Sequence, residues 1–154
     1  MLDDVNEIIK IAKNNNVKIH IPVDVVCAKE FDNNSPAKVF DIMNIDKDYE
    51  GMDAGPKSLL KFKEVVLNSK TILWNGPLGV FEFSNFSKGT KELGKFISES
   101  TQNGAFSLVG GGDSVAAVKS FKMQKNMSYV STGGGAMLES LEGKNLPGIN
   151  ALLK

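Results

Sequence analysis

The stretch AFSLVGGGDSVAAVKS, residues 105–120, decides the fold. Residues 105–109 are small or apolar and suit a buried strand, Gly110-Gly111-Gly112 breaks it, and residues 114–122 read as a helix. A strand that runs through glycine into a helix is half of a βαβ unit. The order recurs downstream: a strand at 128–130, Gly133-Gly134-Gly135, then a helix over 136–142 stopped by Gly143. Upstream, a strand at 71–74 enters the turn Asn75-Gly76-Pro77, and a helix over 85–102 follows with Phe86, Leu93, Phe96 and Ile97 inward. Pro56 opens an earlier helix to about residue 68, with Leu59, Phe62 and Val66 on one face.

Nearer the N-terminus, Val5, Ile8, Ile9 and Ile11 fall at helical spacing, so residues 3–14 read as a helix stopped by Asn14-Asn15-Asn16. Val17, Ile19, Ile21, Val23 and Val25 then alternate with polar residues. That period of two predicts a strand over 17–25, which Pro22 should end or distort. Residues 28–50 are polar and turn-rich, and read as a surface excursion with one or two short strands. The whole predicts an α/β fold: one open parallel sheet of four principal strands, Rossmann-like, with helices on both faces. No linker divides the 154 residues, and no fixed-period repeat or low-complexity tract interrupts them.

Composition narrows the partners. All 18 basic residues are Lys, and they balance 18 acidic ones. A neutral chain lacks the basic field that nucleic acid requires. Without arginine's planar fork, anions must be held by Lys, backbone N–H groups or a metal. No apolar run is long enough to span a membrane, and the N-terminus lacks the pattern of a secretory signal. The single cysteine, Cys27, has no partner for an internal disulfide and fits a reducing compartment.

Two strands run straight into glycine triplets followed by helices, at 110–112 and 133–135. A helix N-terminus carries unpaired N–H groups and about half a positive charge, so glycines that admit a ligand to the backbone make an anion site. In a parallel sheet both triplets lie at the strands' carboxyl ends, where open α/β folds bind ligands. The same glycines also serve tight turns and close helix-to-sheet packing. Neither triplet completes a dinucleotide fingerprint, and no P-loop occurs. Asp113 has two competing roles, cap of the following helix or holder of a Mg²⁺ that bridges nucleotide phosphates. Glu82 is either a solvated acid or a ligand for ribose hydroxyls. Trp74 reads as core, His20 as an exposed imidazole and Cys27 as structural.

The segment from Trp74 to Glu82, WNGPLGVFE, resembles the W-N-G-P-x-G-x-F-E motif of phosphoglycerate kinases. Residues 51–58, GMDAGPKS, resemble that family's D-x-G-P-x-[ST] turn; residues 110–114 its G-G-G-D-[ST]; residues 131–144 its S-T-G-G-G-A-x-L-E-x-L-E-G-K; and 146–149 its tail. The resemblance covers essentially the whole chain, residues 1–154. It implies the later part of the C-terminal, nucleotide-binding lobe of a two-lobe kinase. The resemblance further implies that the N-terminal substrate-binding lobe, and the first strands of this lobe with their lysine-bearing segment, are absent from these residues.

The family transfers a phosphoryl group between 1,3-bisphosphoglycerate and Mg·ADP, giving 3-phosphoglycerate and ATP in glycolysis, in the cytoplasm. The resemblance implies that Gly51, Met52, Leu78 and Phe81 line the adenine pocket, and that Glu82 bonds the ribose. Asn75, Gly76 and Pro77 would shape the cleft wall. Asp113 would hold Mg²⁺ through the nucleotide, with Gly111, Gly112 and Ser114 at the phosphates. Gly112 and Gly135 would present helix N-termini to the transferring group, the nearest to a catalytic role. Adenine nucleotide is the implied partner, 3-phosphoglycerate joins only with the N-terminal lobe, and the parent is a monomer. The chain alone is expected to bind nucleotide weakly or not at all and to be inactive. The alternative is a non-catalytic nucleotide-binding or assembly module. Lost neighbouring strands would expose a sheet edge, which predicts aggregation or pairing with another chain.

Overall fold

The computed structural model describes residues 2–153. Helix α1 (Leu2–Asn14) carries Asp3 and Asp4 in its first turn and Lys13 in its last, the polarity that suits the helix dipole. Asn16 takes a left-handed conformation (φ 55°), and the Val17 N–H returns to the Ala12 carbonyl at 2.8 Å, which ends the helix. Three strands follow: β1 (Asp24–Ala28), β2 (Lys38–Asp41) and β3 (Glu50–Ala54), forming an antiparallel sheet with β1 central. Helix α2 (Pro56–Leu67) starts on proline.

The remainder follows the expected cycle as far as residue 141, and a closing helix over 147–152 that lies outside that expectation ends it. Strand β4 (Thr71–Asn75), a 3₁₀ turn at Ser84–Phe86, α3 (Lys88–Gln102), β5 (Phe106–Gly110) and α4 (Gly112–Ser120) lead to β6 (Tyr129–Val130), α5 (Gly134–Leu141) and α6 (Pro147–Leu152). Strands β4, β5 and β6 form a parallel sheet in that order, flanked by helices. Its core face packs Trp74, Ile97, Val109, Val118, Met123 and Met127 together. On the opposite face Leu73, Phe106 and Tyr129 remain exposed. Among the described residues no helix is long and apolar enough to cross a membrane.

One expectation is corrected. The alternating stretch 17–25 is not a fourth parallel strand: only Asp24 and Val25 of it enter β1, and β1 belongs to the antiparallel sheet. Pro22 has no N–H to give a ladder, and no strand among the described residues lies beside 17–22. Alternation marks which side chains need burial, but a ladder also needs a partner. Val17, Ile19 and Ile21 are therefore 59%, 50% and 67% exposed, and on α1 Val5, Ile8, Ile9 and Ile11 are exposed as well.

Two buried aspartates join the antiparallel sheet to the helices. Asp24 accepts hydrogen bonds from the Lys57 N–H (3.0 Å) and Ser58 N–H (2.7 Å) at the start of α2, and from the Ser58 hydroxyl (2.6 Å). It thus does from 33 residues away what a cap residue does locally. Burial alone would raise its pKa, but the Ser58 hydroxyl, the two N–H groups and the Lys57 charge outweigh it and hold the carboxyl below its ordinary value. Asp53, on β3, accepts from the Ala54 N–H (2.8 Å) and from the Gly89 N–H (2.6 Å) in the first turn of α3. Here burial dominates and pushes the carboxyl up to about 6, against the pull of those N–H groups and the Lys88 charge.

Three outcomes are expected. The exposed apolar residues on α1 and at 17–21 should draw the chain into association, so sedimentation velocity should show species heavier than a monomer, which Ile9→Lys with Ile19→Lys shifts toward monomer. Asp24→Ala should lower stability at pH 7 by about 1–3 kcal/mol, because three donors lose their acceptor. Since the folded carboxyl is the stronger acid, its contribution is present above pH 3.8 and is lost as pH falls through its lower folded value, so urea titrations should converge in acid. Asp53 has the opposite sign. Its contribution is present below pH 3.8 and lost as pH rises through about 6, so Asp53→Asn should gain up to about 3 kcal/mol relative to the unsubstituted chain between pH 3.5 and 7.

Candidate nucleotide-binding site

The parallel register brings three turns to one edge. Asn75 pairs with Gly110 and Val109 with Val130, so β4, β5 and β6 release the chain side by side at their carboxyl ends. There a hollow of about 290 Å³ is lined by Gly111, Gly112, Val115, Lys119, Ser131, Thr132, Gly134 and Gly135. A second, of about 200 Å³, adjoins it through Gly111 and Gly112 and is lined also by Asn75, Gly76, Asp113 and Ser114.

Both glycine turns are needed for this approach. A Cβ on Gly134 would lie 2.7 Å from the Gly111 nitrogen and 3.0 Å from its Cα. Gly111 itself has φ +85°, and a side chain there would meet the Asn75 Oδ1 at 2.3 Å. Behind them Gly110 leaves room for Met137, whose Cε would lie 2.0 Å from a Cβ. The chemistry follows from what the helices then present. Gly111 precedes α4 and Gly133 precedes α5, and neither helix start has a side-chain cap. The first N–H groups of both helices are left without intrahelical partners, and Gly112, Gly134 and Gly135 line the shared hollow.

Asp113 sits in the first turn of α4, one residue past Gly112, and is exposed. It is therefore not the cap; that position is Gly111. The helix begins at Gly112, two residues earlier than residue 114. Ser114 is fully buried, and its hydroxyl accepts the Gly76 N–H at 2.6 Å, which ties the 75–77 turn to α4. Trp74 is core, and its indole N–H donates to the Gly76 carbonyl at 2.8 Å. Cys27 is fully buried and His20 is exposed.

The residues assigned to the adenine side are more dispersed. Val80 donates to the Met52 carbonyl at 2.9 Å, which seats the loop 76–82 against β3. The Met52 side chain is buried with Ala28 and Phe86, so what β3 offers there is backbone at Gly51 and Met52. Leu78 lines a hollow of about 240 Å³ with His20, Phe62, Val65, Val66 and Leu93. Phe81 packs edge-on to Phe121 at 6.5 Å, and Glu82 is exposed. Lys119, Ser131 and Thr132 were not expected at the site. Helical spacing held the signal for Lys119: Gly112, Val115 and Lys119 lie three and four residues apart and so share the face that the triplets line. Ser131 and Thr132 lie in the turn that joins β6 to the second triplet.

Comparison with known proteins shows the family and the fold. A family model described as phosphoglycerate kinase matches residues 1–144. The phosphoglycerate kinase of Porphyromonas gingivalis is 56% identical over 151 residues, covering 98% of this chain and 36% of that protein. That of Plasmodium falciparum is 50% identical over 149 residues, covering 96% and 36%. Among solved structures, phosphoglycerate kinase from Coxiella burnetii superposes with a TM-score of 0.90 at 42% identity, over 97% of this chain and 38% of that one. The Pyrococcus horikoshii enzyme gives 0.78 at 33%, over 99% and 36%. The chain thus spans little more than a third of the length of the relatives it matches. On a match that takes in 144 of its 154 residues, and on a fold shared with solved members, the chain belongs to the phosphoglycerate kinase family.

Proposed function

We propose that this chain is the later part of the C-terminal, nucleotide-binding lobe of a cytoplasmic, glycolytic phosphoglycerate kinase. The parent moves a phosphoryl group between 1,3-bisphosphoglycerate and Mg·ADP, giving 3-phosphoglycerate and ATP. The observation that carries this reading is the pair of uncapped helix starts whose glycine turns touch, Gly134 against Gly111, over one hollow. In a chain without arginine, two converging sets of N–H groups and two helix dipoles are a fitting cradle for phosphate oxygens.

The roles follow from position. N–H groups at Gly112, Asp113 and Ser114 meet the nucleotide phosphates, and those at Gly134 and Gly135 face the transferring group. Little covalent chemistry falls to the protein in such a transfer, so alignment and neutralisation of charge are what it supplies. Asn75, Gly76 and Pro77 form the wall beside the phosphates. Gly51, Met52, Leu78 and Phe81 border the base, and Glu82 takes the ribose hydroxyls.

Among the described residues no three His, Cys, Asp or Glu side chains converge, so no metal cage is built from protein alone. A single exposed carboxylate, Asp113, beside a phosphate cradle suits Mg²⁺, which keeps its waters and takes one or two carboxylates with the phosphates. When bound there, the ion would neutralise charge on the phosphates. The isolated chain is proposed to bind Mg·ADP weakly and to show no turnover, since 3-phosphoglycerate requires the N-terminal lobe.

Titration of Mg·ADP into the chain, followed by amide NMR shifts, should move residues 110–114 and 133–135. Asp113→Asn should weaken binding about tenfold, the loss expected for one charge-assisted contact. Gly134→Ala should abolish the response by forcing the two turns apart. Shifts confined elsewhere, or binding indifferent to both substitutions, would overturn the reading.

A further inference from the structure

The loop from Gly76 to Val80 leaves no N–H free for a ligand. Gly76 donates to the Ser114 hydroxyl, Pro77 has no N–H, and Val80 donates to the Met52 carbonyl. The remaining two, Leu78 and Gly79, both donate to one atom, the Thr90 Oγ1, at 3.1 and 3.3 Å. Thr90 is fully buried in the first turn of α3, so water cannot replace its hydroxyl. Its own position is held one residue earlier, where the Gly89 N–H donates to Asp53 at 2.6 Å. The packing is close on both sides of that carboxylate. A Cβ on Gly79 would meet Asp53 Oδ1 at 2.3 Å, and one on Gly89 would meet it at 2.1 Å.

We infer that Thr90 is a positioning residue for nucleotide recognition: its hydroxyl, anchored through Gly89 to Asp53, sets the path of the loop that carries Leu78, Phe81 and Glu82. The inference rests on the proposed role of that loop as the base and ribose wall. Two amides share one acceptor, so removal of a single oxygen frees the loop midway between its ties to α4 and to β3. The phosphate cradle is held by other contacts, those of Gly134 with Gly111 and of Met137 with Gly110. Thr90 therefore acts on the base side of the nucleotide and leaves the phosphate side alone.

That division supplies the test. Thr90→Val keeps the volume and removes the acceptor; Thr90→Ser keeps the acceptor. Affinities for Mg·ADP and for Mg·pyrophosphate are measured on the full chain and both variants. Thr90→Val should weaken Mg·ADP about tenfold, the loss of roughly one buried hydrogen bond, while changing pyrophosphate less than about twofold, and Thr90→Ser should restore ADP binding. Equal losses for both ligands would make Thr90 merely structural, and no loss for either would remove the role altogether; both overturn the inference and leave the phosphate site standing. An unsubstituted chain that binds neither ligand overturns the site reading itself, and one that binds both equally well overturns the base-wall role and this inference with it. Should Thr90→Val not fold, hydrogen exchange on the unsubstituted chain decides: the Leu78 and Gly79 amides should be protected, and exchange as fast as in an open loop would overturn the inference.

Discussion

The site depends on one steric constraint: backbone must touch backbone where Gly134 meets Gly111. At that separation no side chain fits on residue 134, and residue 111 is held at a φ that L side chains rarely adopt. The contact lets the starts of α4 and α5 converge on one hollow instead of standing a side chain's width apart. The parallel register makes it possible, since β5 and β6 end together and their turns must pass each other at once. An anion site built from main-chain N–H groups needs such an approach, because its donors are short and fixed. In a chain whose basic side chains are all lysine, the proposed site would use rigid donors of this kind in place of the fork that arginine offers elsewhere.

Around that contact the polar joints are buried and economical in residues. Asp24 organises the start of α2, Asp53 the start of α3, and Thr90 and Ser114 hold the loop between β4 and α3 at two points. The joints of Asp24, Asp53 and Ser114 link segments more than 30 residues apart, so they cost chain entropy to form and are strong only once the fold is complete; that of Thr90 closes a shorter loop. Asp24 receives three donors, beside the Lys57 charge, and is favoured as a carboxylate, whereas Asp53 receives two, which do not outweigh the cost of burying its charge.

The chain spans about 36% of the length of the relatives it matches, and part of its apolar patterning is exposed. Residues 17–21 keep the alternation of a strand without a ladder, and α1 keeps an apolar stripe without a cover. These are ordinary burial patterns with the burying surface absent from the described residues. They explain why the pattern was easy to read and why the strand did not follow from it.

The sequence by itself determined the α/β class, the order and approximate bounds of the helices between residues 56 and 142, the strands at 71, 106 and 129, and the two glycine turns as candidate anion sites. Those features are local: periodicity, proline at a helix start and glycine after a strand act within a few residues. Tertiary structure alone decided that the antiparallel sheet takes β1 and that the Ser114 hydroxyl is engaged with Gly76. It also decided that Met52, Leu78 and Phe81 face different surroundings. Each of these turns on which segments meet across tens of residues, and such meetings are set by packing and shared hydrogen-bond partners, which no local pattern encodes.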